Sequence, residues 1–261
     1  MRIRYITDFT KFNDKDLVLA LGFFDGIHLW HKKVLEKCIE IAKFNNKKSA
    51  VLTFSSSIKQ FISSSKIEYL SSNSDKIECF DKIGFDEVIF IELSKEFIEL
   101  KYTEFYKLFL ENQFHIICGF DYSFGYKGEG NIDYLKSMLN DRITIIPKYE
   151  IDGEKVGSFR IISFIKSGDI VNANKYLGYD YKIDGKLYKR NKYYALTTSS
   201  YYIPKNGIYT LRFKSGDMEK EVLVKTKLLD SNNGLLLRVD NNEVFDYLIK
   251  ESNHFDVYFT K

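Results

Sequence analysis

Two of the four histidines in this 261-residue chain stand three apart in Gly22-Phe23-Phe24-Asp25-Gly26-Ile27-His28-Leu29-Trp30-His31. The segment follows the apolar run Leu17–Leu21, so it reads as a strand that ends in glycine and turns into a helix. Backbone N–H groups at such a turn point outward and meet phosphate. On a helical turn His28 and His31 share one face, where their rings can hydrogen-bond a polyphosphate and stabilise charge developing in a transition state. A helix start with two incidental polar residues is the plain alternative, and the pair alone makes a poor metal site. A second candidate is the loop Gly119-Phe120-Asp121-Tyr122-Ser123-Phe124-Gly125. Asp121 there stands at the carboxyl end of a strand, although many such aspartates only cap a turn. The glycines from Gly125 to Gly130 lack the G-x-x-x-x-G-K-[ST] spacing of a phosphate loop, and Lys127 reads as a solvated charge.

These segments need a frame, and the first two-thirds of the chain supplies an alternation of strands and helices. Strands are expected at Leu17–Leu21, Ala50–Phe54, Glu87–Ile91, His115–Cys118 and Ile143–Ile146. Helices are expected over His31–Ala42, from a Ser74 cap through Ile83, over about Thr103–Leu110 and near Ile132–Leu139. The alternation predicts a parallel sheet covered on both faces, with ligands beyond the carboxyl ends of its strands. Two short helical patterns within Ser158–Leu177 split at Ser167-Gly168-Asp169. After Tyr179, turn signals recur at Asp184-Gly185, Lys205-Asn206-Gly207, Ser215-Gly216-Asp217 and Asn232-Asn233-Gly234. Strand-like runs Ile208–Phe213, Val222–Lys225 and Leu235–Val239 accompany them, which predicts a small all-β barrel or sandwich. The fold class is therefore α/β, a parallel-sheet domain followed after Tyr179 by a small all-β unit.

Composition removes other classes. Lys plus Arg number 39 against 36 Asp plus Glu, a net charge of +3, without the large clustered basic excess of a dedicated nucleic-acid binder. Only seven of the 39 are arginine, Arg160 among them. No run approaches the length of a membrane span, the N-terminus lacks an apolar signal core, and Cys38, Cys79 and Cys118 form no C-x-x-C pair. The three cysteines read as small buried hydrophobes in a reducing compartment, and the cytoplasm is the expected location. The tyrosines from Tyr188 to Tyr202 could stack a flavin or single-stranded nucleic acid, but cross-strand packing is favoured and nucleic acid is not the expected partner.

The segment Gly22–His31 resembles the G-x-F-D-G-x-H-x-G-H signature of prokaryotic FAD synthetases, members of the H-x-G-H nucleotidyltransferase superfamily. Thr53-Phe54, Tyr69-Leu70 with Lys76, Gly84-Phe85-Asp86, Phe97 and Phe105 match further stretches in order. Gly119–Gly125 with Gly130 resembles the G-x-D-F-x-F-G loop. Val156–Ile162 resembles S-S-T-R-I-R, followed by Gly168-Asp169 and Leu177-Gly178. The resemblance covers roughly residues 15–180 and implies an FMN adenylyltransferase domain of Rossmann-like fold over residues 1–180, followed by a riboflavin kinase-like barrel over 181–261. It implies that ATP and FMN, with Mg²⁺, give FAD and pyrophosphate. It further implies that His28 and His31 contact ATP phosphates, with Gly22, Phe23, Phe24, Asp25, Gly26 and Trp30 around the nucleotide. Thr53, Phe54, Gly119, Asp121, Phe124 and Gly125 would frame the flavin and nucleotide pocket. Ser158 and Arg160 would close on the triphosphate, a role suited to a planar, always charged donor fork. No metal ligand is assigned.

Several positions depart from the pattern. Trp30 replaces a glycine; it either stacks on the adenine, turns away, or fills the pocket and excludes ATP. Ser55 replaces an aspartate, Gly157 and Phe159 replace Ser and Thr, and Ile162 replaces a second arginine. The all-β part retains Ile203-Pro204-Lys205-Asn206-Gly207-Ile208-Tyr209 but lacks the Pro-Thr-Ala-Asn segment and an acid at the catalytic position near Leu235–Asp240. The expected activity is FMN adenylyltransfer without riboflavin kinase activity. A flavin- or nucleotide-binding homologue impaired in catalysis, an adenylyltransferase for another phosphorylated acceptor and an RNA-binding module are the alternatives.

Overall fold

The computed structural model describes residues 1–58, 61, 68–198, 200–229, 234–239 and 242–261. The chain divides into two compact units, residues 1–67 with 73–153, and residues 68–72 with 154–261. In the first unit the elements are β1 (Arg2–Ile6), β2 (Val18–Leu21), α1 (Leu29–Phe44), β3 (Ser49–Phe54), α2 (Asn73–Ile83), β4 (Glu87–Ile91), β5 (His115–Gly119), α3 (Ile132–Leu139) and β6 (Ile143–Ile146). The six strands form one parallel sheet in the order β1-β4-β3-β2-β5-β6. Strands β2, β3 and β4 are apolar almost throughout because both sheet faces are covered. From β2 the chain steps outward through β3 to β4, then returns to place β5 on the other side of β2. That reversal leaves a crevice beyond the carboxyl ends of β2 and β5, the usual ligand position in such sheets.

Strand β1 is additional to the strands that apolar runs predict. Its sequence, RIRYI, is largely exposed, and what seats it is charge. The Arg4 guanidinium bonds the buried Glu87 carboxylate on β4 and lies 2.8 Å from Asp14. Helix α2 begins at Asn73, whose side-chain amide donates to the Ser55 carbonyl at 2.8 Å, so Ser74 lies within the first turn and is not its cap. The helix expected near Thr103–Leu110 is a short α-helical turn, Tyr102–Phe105, that widens into a π-helical stretch over Tyr106–Leu110. Cys38 and Cys118 are buried with their thiols pushed up by burial, Cys118 to about 12, and Cys79 is partly buried; all three are free.

The second unit carries α4 (Ser158–Ser167) and α5 (Ile170–Leu177), followed by a closed six-stranded barrel. Its strands run in the order Tyr193–Thr197, Gly234–Arg238, Met218–Leu228, Gly207–Ser215, His254–Phe259 and Tyr181–Arg190. The strand His254–Phe259 and the helix Glu243–Glu251 are additional to the elements that turn spacing predicts. The turn at Asn232-Asn233 lies outside the described residues. Tyr194 and Tyr201 are core residues, and the Tyr194 hydroxyl donates to Asp246 at 2.8 Å, whereas Tyr188 stays 41% exposed. Two of the tyrosines that might have stacked a base are thus packed inside.

The expected boundary at residue 180 differs from the compact units, in which residues 154–180 group with the barrel. The reason lies in α5. The Asn174 side chain accepts the Tyr181 N–H at 2.8 Å and donates to the Phe259 carbonyl at 2.7 Å, bridging two barrel strands from the helix. Replacing Asn174 by Ala strands one backbone donor and one acceptor, each costing about 1–3 kcal/mol when buried without a partner. Chemical denaturation of Asn174→Ala is expected to show a loss of roughly 2–4 kcal/mol from the transition of the second unit.

Candidate active site

Seven residues carry the chain from the end of β2 to the start of α1. Phe24, Gly26 and Ile27 all take positive φ there, at 53°, 78° and 32°. Gly26 adopts this conformation freely, but Phe24 and Ile27 do so against steric cost, so packing must hold them. The Thr53 hydroxyl on β3 donates to the Phe23 carbonyl at 3.2 Å. The Phe24 ring, 1% exposed, meets Phe80 of α2 edge-on at 5.9 Å and His31 at 5.3 Å. Lys76 of α2 is 1% exposed, with its ammonium 3.9 Å from the centre of the Phe23 ring. Burial pushes that ammonium down to about 8, with the Asp25 carboxylate pulling in the opposite direction.

The turn delivers two stacked imidazoles. His28 is the N-cap of α1, and its Nδ1 accepts the His31 N–H at 3.3 Å, which leaves the ring proton on Nε2. The rings of His28 and His31 stack at 3.6 Å with 16° between planes. Burial, then His28 and then Lys76 hold His31 well below the ordinary imidazole range, so it is neutral near pH 7. Nδ1 of His31 is buried with no hydrogen-bond partner among the described residues, as befits a group awaiting a ligand.

A cavity of about 700 Å³ opens at the crevice between β2 and β5. Gly22, Phe23, Phe24, Trp30, His31 and Phe54 line one part of it, and Gly119, Asp121, Phe124 and Gly125 another. Of the other residues singled out by sequence, His28, Gly26 and Thr53 are buried and Asp25 partly so; all four shape the turn behind the lining. The loop after β5 is tied at its neck by an antiparallel bridge between Phe124 and Gly130, with N–H to carbonyl distances of 3.0 and 2.9 Å. Ser158 and Arg160 belong to the second unit, in the first turn of α4, where Arg160 is exposed and lies 4.9 Å over the Phe164 ring. Tyr122 and Ser123 of the expected pocket loop also line the cavity, whereas sequence reasoning gave no role to Ile58 or Tyr126, which line it too, nor to Lys76, matched only as part of a motif. The aromatic density between Phe97 and Tyr126 was the available signal for the wall; nothing in the sequence marks the burial of Lys76.

Trp30 neither turns away from the cavity nor fills it. The indole, 6% exposed, lies against Phe120 at 5.2 Å and over Gly119. A Cβ on Gly119 would sit 2.6 Å from Cζ2 of Trp30, so the space a side chain would take at residue 119 belongs to the indole. Among the described residues no three His, Cys, Asp or Glu side chains group to hold a metal ion.

Gly119→Ala must displace the indole, with an expected cost of about 1–3 kcal/mol for overpacking. In a Trp30→Gly background that cost should vanish, giving a coupling of at least about 1 kcal/mol in a double-mutant cycle of denaturation midpoints. Because Trp30 is the sole tryptophan, its emission should shift in Gly119→Ala alone.

The FAD synthetase family model matches residues 10–160. A bifunctional riboflavin kinase/FMN adenylyltransferase of Listeria monocytogenes is 33% identical over 220 residues, spanning 78% of this chain and 70% of that protein. A FAD synthetase of the same organism is 26% identical over 80% of this chain and 86% of its own length. The crystal structure of a macrolide-efflux protein from Streptococcus pneumoniae superposes with a TM-score of 0.84 over 99% of this chain and 90% of that one. At 22% identity that likeness speaks to the fold alone. With the family model matched over residues 10–160, more than half of this chain, and residues of the Gly22–His31 segment and the Gly119–Gly125 loop lining one cavity at the switch point of the sheet, the chain belongs to the FAD synthetase family.

Proposed function

We propose that the first unit transfers AMP from ATP, taken up as its Mg²⁺ complex, to the phosphate of FMN, giving FAD and pyrophosphate. The observation that carries this reading is the stacked pair His28 and His31 at the N-terminus of α1, opening on an aromatic cavity of about 700 Å³. An FMN phosphate oxygen attacks the α-phosphorus of ATP; the new O–P bond forms as the bond to the pyrophosphate oxygen breaks. No bond to the protein is needed, and catalysis consists of positioning and charge stabilisation. The His31 ring, which lines the cavity with His28 stacked behind it, and the helix N-terminus face the phosphates, and the aromatic walls receive the planar ring systems of the two substrates. The family resemblance alone assigns phosphate contacts to Ser158 and Arg160. That the cavity persists with Trp30 in place favours an active enzyme over an impaired homologue.

The barrel is proposed to lack riboflavin kinase activity, because the Pro-Thr-Ala-Asn segment is absent from residues 186–202. The Listeria monocytogenes relative is named as bifunctional, so the point needs its own assay. A cytoplasmic location is part of the same proposal. No described helix is long and apolar enough to cross a membrane.

Purified protein with FMN, ATP and Mg²⁺ should release FAD and pyrophosphate. The substitutions His28→Ala and Arg160→Ala should each lower kcat/KM by about 10²–10³, as loss of a donor to developing charge does, and much more than Lys127→Ala. Absent FAD with ATP still bound would select the impaired homologue, and product with a different phosphorylated acceptor would redirect the substrate assignment. Riboflavin with ATP and Mg²⁺ should yield no FMN; its appearance would restore the kinase to the barrel.

A further inference from the structure

Tyr122 stands on the cavity wall, and the mechanism above gives it nothing to do. The G-x-D-F-x-F-G pattern that its loop resembles has phenylalanine at this place, so this chain carries one additional hydroxyl there. The Tyr122 N–H donates to the Gly119 carbonyl at 3.1 Å, and the Phe120 N–H donates to the Ile146 carbonyl of β6 at 3.0 Å. Those two bonds close a turn at the carboxyl end of β5 and fix where the phenol leaves the backbone. Its ring lies nearly parallel to Phe124, with 5.8 Å between centres and 17° between planes. Phe124 packs on Phe105 at 5.3 Å, Phe105 meets Phe97 edge-on at 6.2 Å, and Phe97 meets Phe54 at 5.7 Å. These rings all line the cavity and give it one continuous apolar wall.

The hydroxyl of Tyr122 differs from those packed inside the second unit. Tyr181, Tyr194 and Tyr209 donate to protein oxygens at 2.7, 2.8 and 2.8 Å. Among the described residues the Tyr122 hydroxyl has no such partner. Burial pushes it far above the ordinary phenol range, with Cys118 adding to the effect, so it stays protonated and able to donate. A hydroxyl enclosed by protein and bonded to none of it costs stability that a phenylalanine would not. A ligand in the cavity that accepts its hydrogen bond removes that cost.

The wall therefore suits a flat ligand that is apolar along the phenylalanine side and carries acceptors toward Tyr122. An isoalloxazine ring has this division, with a dimethylbenzene edge opposite a pyrimidine edge that bears two carbonyls. Adenine has no apolar edge of that kind. We propose that Tyr122 is a specificity-determining residue, whose hydroxyl donates to the carbonyl-bearing edge of the flavin ring. The assignment deepens the proposed use of FMN as acceptor and rests on it.

Tyr122→Phe removes the hydroxyl and keeps the ring, and no described protein group loses a partner. Its denaturation midpoint should equal or exceed that of wild type. Its Kd for FMN, read from quenching of flavin fluorescence without ATP, should rise about three- to tenfold, the span of one neutral hydrogen bond. Lumiflavin, the ring without the phosphate-bearing chain, should weaken by the same factor. ATP binding, read from the emission of the sole tryptophan on the cavity wall, should hold. The KM for FMN should follow its Kd. An unchanged Kd for FMN would overturn the proposal. So would weaker ATP binding, which assigns the hydroxyl to the nucleotide, or a loss for FMN without one for lumiflavin, which assigns it to the phosphate. A lowered denaturation midpoint overturns it too, by revealing a partner within the protein. Wild type that binds FMN yet forms no FAD counts against the adenylyltransfer alone. Wild type that binds no FMN removes that reading and the proposal with it.

Discussion

The cavity depends on a backbone the chain would not choose by itself. Between Leu21 and Leu29 the chain must leave a buried strand, reverse, and start a helix whose first amides face the crevice. It does so with Phe24 and Ile27 in the left-handed region, at a cost of about 1–2 kcal/mol each. The surrounding structure over-determines that conformation through Thr53 on β3, Phe80 and Lys76 on α2, and the His28 cap on α1. Were the turn to relax, the stacked imidazoles would lose their register with the cavity, because His28 is at once the last residue of the turn and the cap of the helix.

The sheet order supplies the other half of this constraint. Strands β2 and β5 are neighbours in space although their ends, Leu21 and Gly119, lie 98 positions apart, so the two loops that shape the cavity are remote in sequence and meet only because the order reverses between them. The aromatic loop after β5 is braced internally by the Phe124–Gly130 bridge, and the histidine turn is braced by β3 and α2. Each side is thus braced by contacts of its own.

Much of this was legible in the residues. Continuous apolar runs located β2 to β6, and the glycine at the end of β2 followed by two histidines located the helix start. What periodicity cannot express was missed. Strand β1 alternates exposed residues and is seated by Arg4 against Glu87 and Asp14, a pairing between distant parts of the chain. Lys76 reads as a surface lysine on an amphipathic helix, and only the packing of the turn against α2 buries it. The boundary at residue 180 followed the change in turn spacing, whereas Asn174 binds α5 to strands that start at Tyr181 and end at Phe259. Of the seven arginines, Arg142 donates to the Glu111 and Gln113 carbonyls and Arg212 pairs with Asp180.

The contact between Trp30 and Gly119 also orders substitution. With the indole in place, no residue larger than glycine fits at 119, and with any larger residue at 119 the indole has no seat. The two positions lie 89 apart in the chain, one in the first turn of α1 and the other at the end of β5. From the present pair, a side chain enters at 119 without displacing its neighbour only after the indole has gone.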